Sequence, residues 1–149
     1  MAQWLPHKTV ATIVVRDDKF LMVEELIDGQ LVLNQPAGHL EANETILEAA
    51  VRETLEETAW QVELTGFLGL YQSNANAKGV CYIRSCFIAK PVQYFPERAL
   101  DTDIVQALWL SREEIQAKTL QLRSPVVMQV IDDYLAGKHY PLDVFTFIK

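Results

Sequence analysis

The sequence lacks the features that mark secreted, membrane-spanning and nucleic-acid-binding proteins. It has two cysteines in 149 residues, no run of about 18 apolar residues that could cross a bilayer, and no charged-then-apolar N-terminal segment followed by a cleavage site. It also has no polybasic segment that could follow a phosphate backbone. We therefore expect a cytoplasmic protein that binds neither membranes nor nucleic acid.

The two cysteines, Cys81 and Cys86, lie in one apolar stretch. In a β-strand, a separation of five residues corresponds to about 16 Å and places the two side chains on opposite faces. Two thiols in this arrangement cannot form a disulfide with each other. A pair of buried, reduced cysteines agrees with a cytoplasmic location.

The composition is that of an ordinary globular protein, with 50% hydrophobic and 22% charged residues and no repeat or low-complexity segment. We expect a single domain over residues 1–149. The net charge is −7, but residues 38–60 contain six glutamates and one arginine, which leaves only −2 for the other 126 residues. The acidity is therefore concentrated in one segment, where it suits the binding of cations.

Stretches rich in β-forming residues alternate with turn signals along most of the chain. They predict strands over residues 9–15, 20–25, 31–34, 61–72, 80–92 and 105–111. Turns are expected at 16–19, at 28–29 and in the polar loop 74–79, and the fourth strand is expected to bend at one of its two glycines. The order of these elements and of the helices predicts an α+β domain with a mixed β-sheet between helices.

Two helices are predicted in the C-terminal third. Ser111 is the expected N-cap of a short helix, with Glu114 completing a capping box. A longer helix is expected over 124–137, with Ser124 as N-cap, a proline at its first position and a glycine at its end. The apolar tail that follows is expected to pack on the body of the protein or on a partner subunit.

The acidic segment predicts a further helix that begins near Asn43, a good N-cap, and ends at Ala59. Glu44 would complement the helix dipole in the first turn. The apolar stripe of this helix consists of Ile46, Leu47, Ala50, Val51 and Leu55. We expect the stripe to face the core and the glutamates to lie on the opposite side, over an open cleft.

Glu53, Glu56 and Glu57 lie three and four residues apart, so a helix places their side chains close together. Three like charges repel each other unless a cation binds between them, and carboxylate oxygens suit a hard divalent cation. Arg52 is expected to orient one of these three carboxylates by a bidentate pair. A loop before the helix, permitted by Gly38, would present the carbonyl of this glycine as a further metal ligand.

This segment resembles the Nudix box of the Nudix hydrolases, G-x5-E-x7-R-E-U-x-E-E-x-G-U, in which U is apolar. The matching positions are Gly38, Glu44, Arg52, Glu53, Glu56, Glu57 and Trp60. Thr54 stands where an apolar residue is usual, and we expect it to cost some packing. Ala59 stands where the family has glycine, and alanine adopts the left-handed conformation of that position only with strain.

The resemblance implies a Nudix-type α/β/α sandwich and a Mg2+-dependent hydrolase of small phosphoanhydride substrates, with Mn2+ as a substitute metal. The residues implied to bind metal and to catalyse are Glu53, Glu56 and Glu57, with Gly38 as a further metal ligand and with Arg52 and Glu44 as structural residues.

In this family an acidic loop before the last strand often supplies another metal ligand or the general base. Asp103 is our preferred residue for this catalytic role and Asp101 the second choice; the alternative is that both only solvate the loop. A box glutamate is the other candidate for the base. Glu41 would lie near the metal ligands, whereas Glu48 would be structural or exposed to solvent.

Three flanking strings resemble the NudJ group of phosphatases within this family: NQPAGHLE at 34–41, WLS with EEI within 109–115, and LRSP at 122–125. This resemblance implies release of phosphate from nucleoside tri- and diphosphates and from thiamine or hydroxymethylpyrimidine pyrophosphate. Hydrolysis of ADP-ribose or of dinucleotides is an alternative. The family members that use ADP-ribose have a proline where this chain has Ala75, and those that use diadenosine polyphosphates have a tyrosine where it has Ala77. Nucleotide binding without turnover, and isomerisation by a cysteine in the cleft, are further alternatives. The enzyme would be a monomer or a homodimer.

Substrate contacts are expected outside the box, from Gln35, Tyr71, Arg84 and Arg123. Arg84 interrupts an apolar strand. Its guanidinium either pairs with a carboxylate in the core or clamps a phosphate at the mouth of the cleft. A base could stack on an aromatic side chain, although such side chains more often belong to the core; the candidates are Trp4, Tyr71, Tyr82 and Trp109.

Overall fold

The computed structural model describes residues 3–74 and 79–149. Within these ranges the chain forms the strands β1 (His7–Arg16), β2 (Lys19–Ile27), β3 (Gln30–Asn34), β4 (Ala37–His39), β5 (Trp60–Asn74), β6 (Cys81–Tyr94) and β7 (Ile104–Leu110). The helices are α1 (Ile46–Thr58), α2 (Arg112–Ala117) and α3 (Val126–Leu135), with 3-10 turns at Thr119–Gln121 and Leu142–Val144. The centre of the predicted loop 74–79, including Ala75 and Ala77, lies outside the described residues.

The strands form one mixed sheet in the order β3-β2-β1-β6-β5, with β4 also paired to β1 and β7 to β2. β1 runs parallel to β6, and the other pairs are antiparallel. One face packs on α2 and α3 through a cluster that includes Ile13, Ile115 and Val130. The other face packs on α1 through a cluster that includes Val10 and Phe87. The predicted α+β class and the α/β/α sandwich are therefore confirmed.

The two hairpin turns follow from local chemistry. Asp17 and Asp18 both have positive φ, of 51° and 61°, as a two-residue turn requires when it matches the twist of the strands. Asp28 and Gly29 form the same kind of turn, with φ of 52° and 78°. The bend predicted in β5 is also present, because β5 shifts its register against β6 beside both of its glycines.

The entry to α1 differs from the prediction. The predicted loop is the short strand β4, in which Gly38 pairs with β1. The helix begins at Ile46 because Thr45, rather than Asn43, is its N-cap: the Thr45 side chain accepts the backbone N–H of Glu48, and the Glu48 carboxylate accepts the backbone N–H of Thr45. Asn43 has a φ of 66° in the turn before the helix. The capping box outcompetes the isolated asparagine because it satisfies two backbone donors.

The two C-terminal helices lie close to their predicted positions. Ser111 caps α2, and the predicted capping box with Glu114 is present. α3 begins at Val126, one residue later than predicted, with Pro125 at the N-cap position. Ser124 still satisfies one backbone donor at the start of the helix, because its hydroxyl accepts the N–H of Val126 at 3.3 Å.

The buried face of α1 is not the predicted apolar stripe. The residues of this face are Ala49, Ala50, Glu53, Thr54, Glu57 and Thr58. Val51 and Leu55 of the predicted stripe are only half-buried. Alanines and threonines allow α1 to approach the sheet closely, and the same face therefore carries two glutamates into the protein. The expectation that the glutamates lie on the side opposite the core was wrong for Glu53 and Glu57.

Thr54, one of the two departures from the box, has a specific partner. Its hydroxyl donates to the carbonyl of Ala50 at 2.8 Å, so it must accept the hydroxyl of Thr12, also at 2.8 Å. Both side chains are buried. The position is therefore polar because a second threonine, on β1, faces it from the sheet.

This pair predicts a non-additive effect on stability. Thr54→Val leaves the Thr12 hydroxyl without an acceptor, and we expect it to lower the free energy of unfolding by about 2 kcal/mol. Adding Thr12→Val removes the unsatisfied hydroxyl donor, so the double variant should recover at least half of the lost free energy of unfolding. Urea denaturation of the two single variants and the double variant measures the coupling. Losses that simply add would show that the two hydroxyls act independently.

Ala59, the other departure from the box, ends α1 in the predicted left-handed conformation, with φ 64° and ψ 16°. Its carbonyl accepts the backbone N–H of Phe95 at 2.9 Å.

The apolar C-terminal tail packs on the body of the protein, which is one of the two predicted alternatives. The backbones of Phe67 and Tyr140 exchange two hydrogen bonds of 2.8 Å, and the Phe145 ring lies 4.7 Å from that of Phe67.

Both cysteines are buried and free, as predicted. Among the helices of residues 3–74 and 79–149, none combines the length and the apolar character that a membrane crossing requires.

Candidate active site

Arg52 organises the acidic side chains at one end of the sheet. Its Nε and Nη2 donate to the two carboxylate oxygens of Glu44, at 2.8 and 2.7 Å. Its Nη1 donates to Glu53 at 2.8 Å and to Glu56 at 3.1 Å. The expected bidentate pair is therefore formed with Glu44. The prediction that its partner is one of the three clustered glutamates was wrong. Glu44 reaches Arg52 from the turn before α1 and does not belong to the first turn of the helix.

Gly38 is packed directly against Glu53. A Cβ atom at this position would lie 2.1 Å from the carboxyl carbon of Glu53, so only glycine leaves room for the carboxylate. One residue earlier, the backbone N–H of Ala37 donates to Glu57 Oε1 at 2.9 Å. The strand β4 thus positions two box glutamates, one by close approach and one by a hydrogen bond.

The carboxylates of Glu53 and Glu56 meet that of Asp101 across the fold. One oxygen from each lies within 4.8 Å of the others. The loop that carries Asp101 is fixed to the helix, because the Asp101 N–H donates to the carbonyl of Glu56 at 3.1 Å. Three carboxylates of this kind fit a hard divalent cation such as Mg2+ or Mn2+, which takes oxygen ligands.

Asp103, which the sequence favoured as a further metal ligand or general base, lies outside this carboxylate group. Its carbonyl accepts the N–H of Leu26 on β2 at 2.9 Å, which directs it toward the neighbouring strand. Among the described residues, the acidic loop therefore contributes Asp101, our second choice, to the group. The reason is tertiary: the loop docks on the end of α1 through Asp101, and Asp103 continues into β7.

Burial determines the protonation of the box glutamates. Desolvation raises the pKa of Glu57 to about 9, although the Ala37 N–H opposes the shift. Desolvation also raises the pKa of Glu53 above its ordinary range, against the opposing effect of Arg52. The charge of Asp101 adds to the raised pKa of both Glu53 and Glu57, so a bound cation would displace protons from these two carboxyls.

A cavity of about 280 Å³ adjoins the carboxylate group. Its wall includes Ala37 and Gly38, which contact the box glutamates, and Arg84 and Arg123, which supply positive charge. Polar and aromatic groups complete the wall, among them Thr9, Glu25, Asn34, His39, Tyr71, Tyr82 and Ser124. Negative and positive groups are therefore brought to the same cavity from β2, β6 and the segment before α3.

Arg84 pairs with neutral amides and not with the core carboxylate that one interpretation of the sequence required. Its Nη1 donates to Gln35 at 3.1 Å and its Nη2 to Asn34 at 3.2 Å. No carboxylate within residues 3–74 and 79–149 lies within ion-pair distance of it. The side chain is 9% exposed, and burial lowers the pKa of its guanidinium. A buried guanidinium held only by neutral amides keeps its charge available to an anion that enters the cavity.

The other predicted substrate residues occupy different positions relative to the cavity. Arg123 and Tyr71 line it, and the Tyr71 hydroxyl donates to Asp133 at 2.7 Å. Gln35 is fully buried behind the wall, where its Nε2 donates to the carbonyl of Val127 at 2.8 Å while its Oε1 accepts from Arg84. Gln35 therefore orients Arg84 and does not line the cavity.

Of the aromatic candidates, Tyr82 lines the cavity with Tyr71, whereas Trp109 lines a different one. Trp4 is 65% exposed and donates its indole N–H to the carbonyl of Gly79. Neither tryptophan belongs to the wall of the cavity beside the carboxylates.

Glu25 and Asn34 are cavity residues that sequence reasoning missed. Glu25 is the one carboxylate among the described wall residues, and burial raises its pKa. A charged residue near the end of a strongly apolar strand was the available signal. Asn34 gave a weaker signal, because a polar residue at a strand end is usually read as part of a turn.

Comparisons with known proteins agree with this geometry. The family model described as NUDIX domain matches residues 5–130. Phosphatase NudJ of Shigella boydii serotype 4 (strain Sb227) is 44% identical over 139 residues, which cover 93% of this chain and 90% of that protein. Phosphatase NudJ of Escherichia coli (strain K12) is 43% identical over the same shares. A solved NUDIX hydrolase from Nitrosomonas europaea has a TM-score of 0.94 and 46% identity, covering 97% of this chain and 98% of that one.

The sandwich fold and the carboxylate group beside an arginine-lined cavity define a hydrolase that acts on phosphoanhydride bonds. The chain belongs to the Nudix family. Within that family it is similar to the NudJ phosphatases over most of its length, as the flanking strings of the sequence had predicted.

Proposed function

We propose that the protein is a Mg2+-dependent phosphatase that releases phosphate from nucleoside tri- and diphosphates and from thiamine or hydroxymethylpyrimidine pyrophosphate, with Mn2+ as a substitute metal. The observation that carries the proposal is the position of Arg84: an arginine without a carboxylate partner in the described chain shares a cavity wall with the strand that holds Glu53 and Glu57. One cavity therefore offers a cation for a phosphate and, beside it, oxygen ligands for a metal. The names of the NudJ relatives support phosphatase activity in this chain.

Each residue has a role that follows from its contacts. Glu53, Glu56, Glu57 and Asp101 would hold the metal. When bound, Mg2+ supplies positive charge that offsets the charge of the phosphoanhydride and of the attacking oxygen. Arg84 and Arg123 bind phosphate oxygens, and Asn34 and Gln35 keep the Arg84 guanidinium in place.

The neighbouring groups supply the remaining functions. Arg52 keeps the Glu53 and Glu56 carboxylates in a fixed orientation, which avoids reorganisation during the reaction. Water attacks the terminal phosphorus, its proton passes to a carboxylate, and the bridging P–O bond breaks to leave the shortened phosphate ester. Tyr71 and Tyr82 offer faces on which a pyrimidine or another base can stack.

The isomerase alternative has no support in the described residues, because neither cysteine lines the cavity. Burial raises the pKa of Cys86 to about 11, so this thiol is protonated and a poor nucleophile at neutral pH. Binding without turnover is a separate alternative, which the complete set of box carboxylates disfavours.

A phosphate-release screen over nucleoside tri- and diphosphates and thiamine pyrophosphates tests the proposal. We expect release with Mg2+, weaker or equal release with Mn2+, and none in EDTA. Nucleotides that bind in the presence of Mg2+ without any release would support the binding-only alternative. Release that persists unchanged in EDTA would contradict the role of the carboxylate group.

A matched pair of substitutions separates the two acidic loop residues. We expect Asp101→Asn to lower kcat at least about tenfold, because it replaces one anionic oxygen ligand of the proposed metal group by a neutral amide. Asp103→Asn changes the same functional group two residues away and should leave kcat within about twofold. Steady-state phosphate release at saturating substrate and a series of Mg2+ concentrations measures both. The reverse order of effects would restore Asp103 as the functional residue.

A further inference from the structure

A second cavity, of about 630 Å³, lies at the opposite end of β1 from the candidate active site. It shares none of its described wall residues with the first cavity. Thr9 lines the first cavity and Arg16 lines the second, and seven residues of strand separate them by about 23 Å. A ligand in the second cavity therefore does not contact the arginines of the first.

The wall of the second cavity combines aromatic rings with positive charge. Trp60, Tyr94 and Trp109 supply the rings, and Arg16 and Arg98 supply two positive charges. No aspartate or glutamate occurs among the described residues of this wall, although the whole chain carries a net charge of −7. This composition differs in sign from the rest of the protein and attracts anions locally.

The guanidinium of Arg16 is held by rings and not by a carboxylate. Its central carbon lies 4.2 Å from the centroid of the Trp109 ring and 5.1 Å from that of Trp60. These rings contact each other edge to face, with centroids 5.7 Å apart. Stacking fixes the plane of a guanidinium and leaves the N–H donors at its edge available for a bidentate contact with an oxyanion.

The other side of the cavity is also rigidly placed. The Trp60 and Tyr94 rings are stacked, with centroids 5.1 Å apart and an angle of 29° between them. Arg98 belongs to a turn in which its N–H donates to the carbonyl of Phe95, and that turn is tied to Ala59 at the end of α1. In the described part of the chain, neither Arg16 nor Arg98 forms an ion pair.

We propose that the second cavity binds a nucleoside phosphate, with the phosphate on Arg16 and Arg98 and the base stacked on the Trp60–Tyr94 pair. A ligand that carries both a planar ring and an oxyanion uses both kinds of wall group, whereas phosphate alone uses only the arginines. The volume is within the range of small-ligand sites. The site is a second nucleotide site, separate from catalysis.

Tryptophan fluorescence provides a direct test in EDTA, without turnover. The chain has three tryptophans, two of which line this cavity, so a Trp4→Phe background leaves only the two local reporters. The probes are adenosine monophosphate, adenosine and inorganic phosphate. We expect the monophosphate to change the emission and to bind at least about tenfold more tightly than either fragment.

Three arginine variants in that background assign the binding. Arg98→Gln and Arg16→Gln should each weaken the monophosphate about tenfold, whereas Arg123→Gln, in the first cavity, should leave its affinity within about twofold. Arg98→Gln alters an exposed turn residue, so it keeps the test valid if Arg16→Gln does not fold. Arg98→Gln should also leave Mg2+-dependent phosphate release within about twofold, which separates this proposal from the proposed function.

Several results would overturn the second site. They are unchanged affinity in Arg98→Gln, loss of binding in Arg123→Gln alone, or phosphate binding as tightly as the monophosphate. A wild-type dimer that becomes a monomer in Arg98→Gln would also overturn it, because the cavity would then be a subunit interface. Sedimentation velocity without nucleotide distinguishes that case.

Discussion

Glu57→Gln is expected to reduce phosphate release by about 100-fold or more while making the metal-free protein more stable by about 2 kcal/mol at pH 7. The expected loss of activity rests on the role proposed above for Glu57, which is that of an anionic metal ligand beside the cavity. The gain in stability follows from burial, because Glu57 is only 7% exposed. A neutral amide avoids the cost of protonating a carboxylate on burial and keeps an oxygen that can accept the Ala37 N–H.

The sign of the pH dependence follows from the raised pKa of this carboxyl. The Glu57 pKa is about 9 in the folded protein against 4.5 as its ordinary value. Between these values the folded protein holds a proton that the unfolded chain has released, so metal-free stability falls as the pH rises from about 4.5 to 9. Glu57→Gln removes this contribution, and its advantage over the wild type should grow across the same range.

Thermal unfolding in EDTA at several pH values measures this difference. Adding Mg2+ should stabilise the wild type, because the ion binds only the folded state, and should stabilise Glu57→Gln much less. Glu63→Gln is the control, since Glu63 forms an exposed ion pair with Lys90 at 3.3 Å and should change neither activity nor stability appreciably. A Glu57→Gln variant that loses stability and activity together would show that the carboxylate is structural. One that keeps full activity would show that Glu57 has no catalytic role.

Gly38→Ala is expected to lower kcat by about 100-fold and the free energy of unfolding by about 1–3 kcal/mol. The added Cβ would lie 2.1 Å from the carboxyl carbon of Glu53, so the carboxylate must move. Its displacement breaks the 2.8 Å contact with Arg52 and separates Glu53 from Asp101. Steady-state kinetics and urea denaturation measure the two effects.

Gly29→Ala is the matched control for Gly38→Ala. Gly29 has a φ of 78° in a hairpin turn, and a Cβ added there would have no described neighbour within 4 Å. Alanine should cost about 1 kcal/mol of stability through backbone strain while leaving kcat unchanged. Equal losses of activity in the two variants would show that Gly38→Ala acts through general destabilisation and not through Glu53.

The parts of the fold that depend on short-range chemistry were predictable. The pairs Asp17-Asp18 and Asp28-Gly29 favour two-residue hairpin turns whatever surrounds them, and the capping box of α2 needs only Ser111 and Glu114. The proximity of the box glutamates was also predictable, because helical spacing alone places their side chains close together. The α+β class followed from the order of these local elements.

The parts that depend on remote partners were not predictable. The apolar stripe of α1 was read as its buried face, but Thr54 meets Thr12 from β1, which lies 42 residues away in sequence. Two aspartates of similar chemistry, Asp101 and Asp103, differ in position relative to the carboxylate group only because the loop docks on the carbonyl of Glu56 through the first of them. No local property of either aspartate distinguishes them.

Short-range spacing placed an arginine and several glutamates on one helix, and the resemblance of this pattern to the Nudix box indicated the reaction class. The flanking strings indicated the NudJ relatives. Only the packing of distant segments shows which carboxylates come together in one group and that Arg84 lacks a carboxylate partner among the described residues. It also decided that Glu57 is buried enough for its pKa to reach about 9. Helical spacing acts over a few residues, whereas desolvation and ion pairing depend on which distant segments the fold brings into contact.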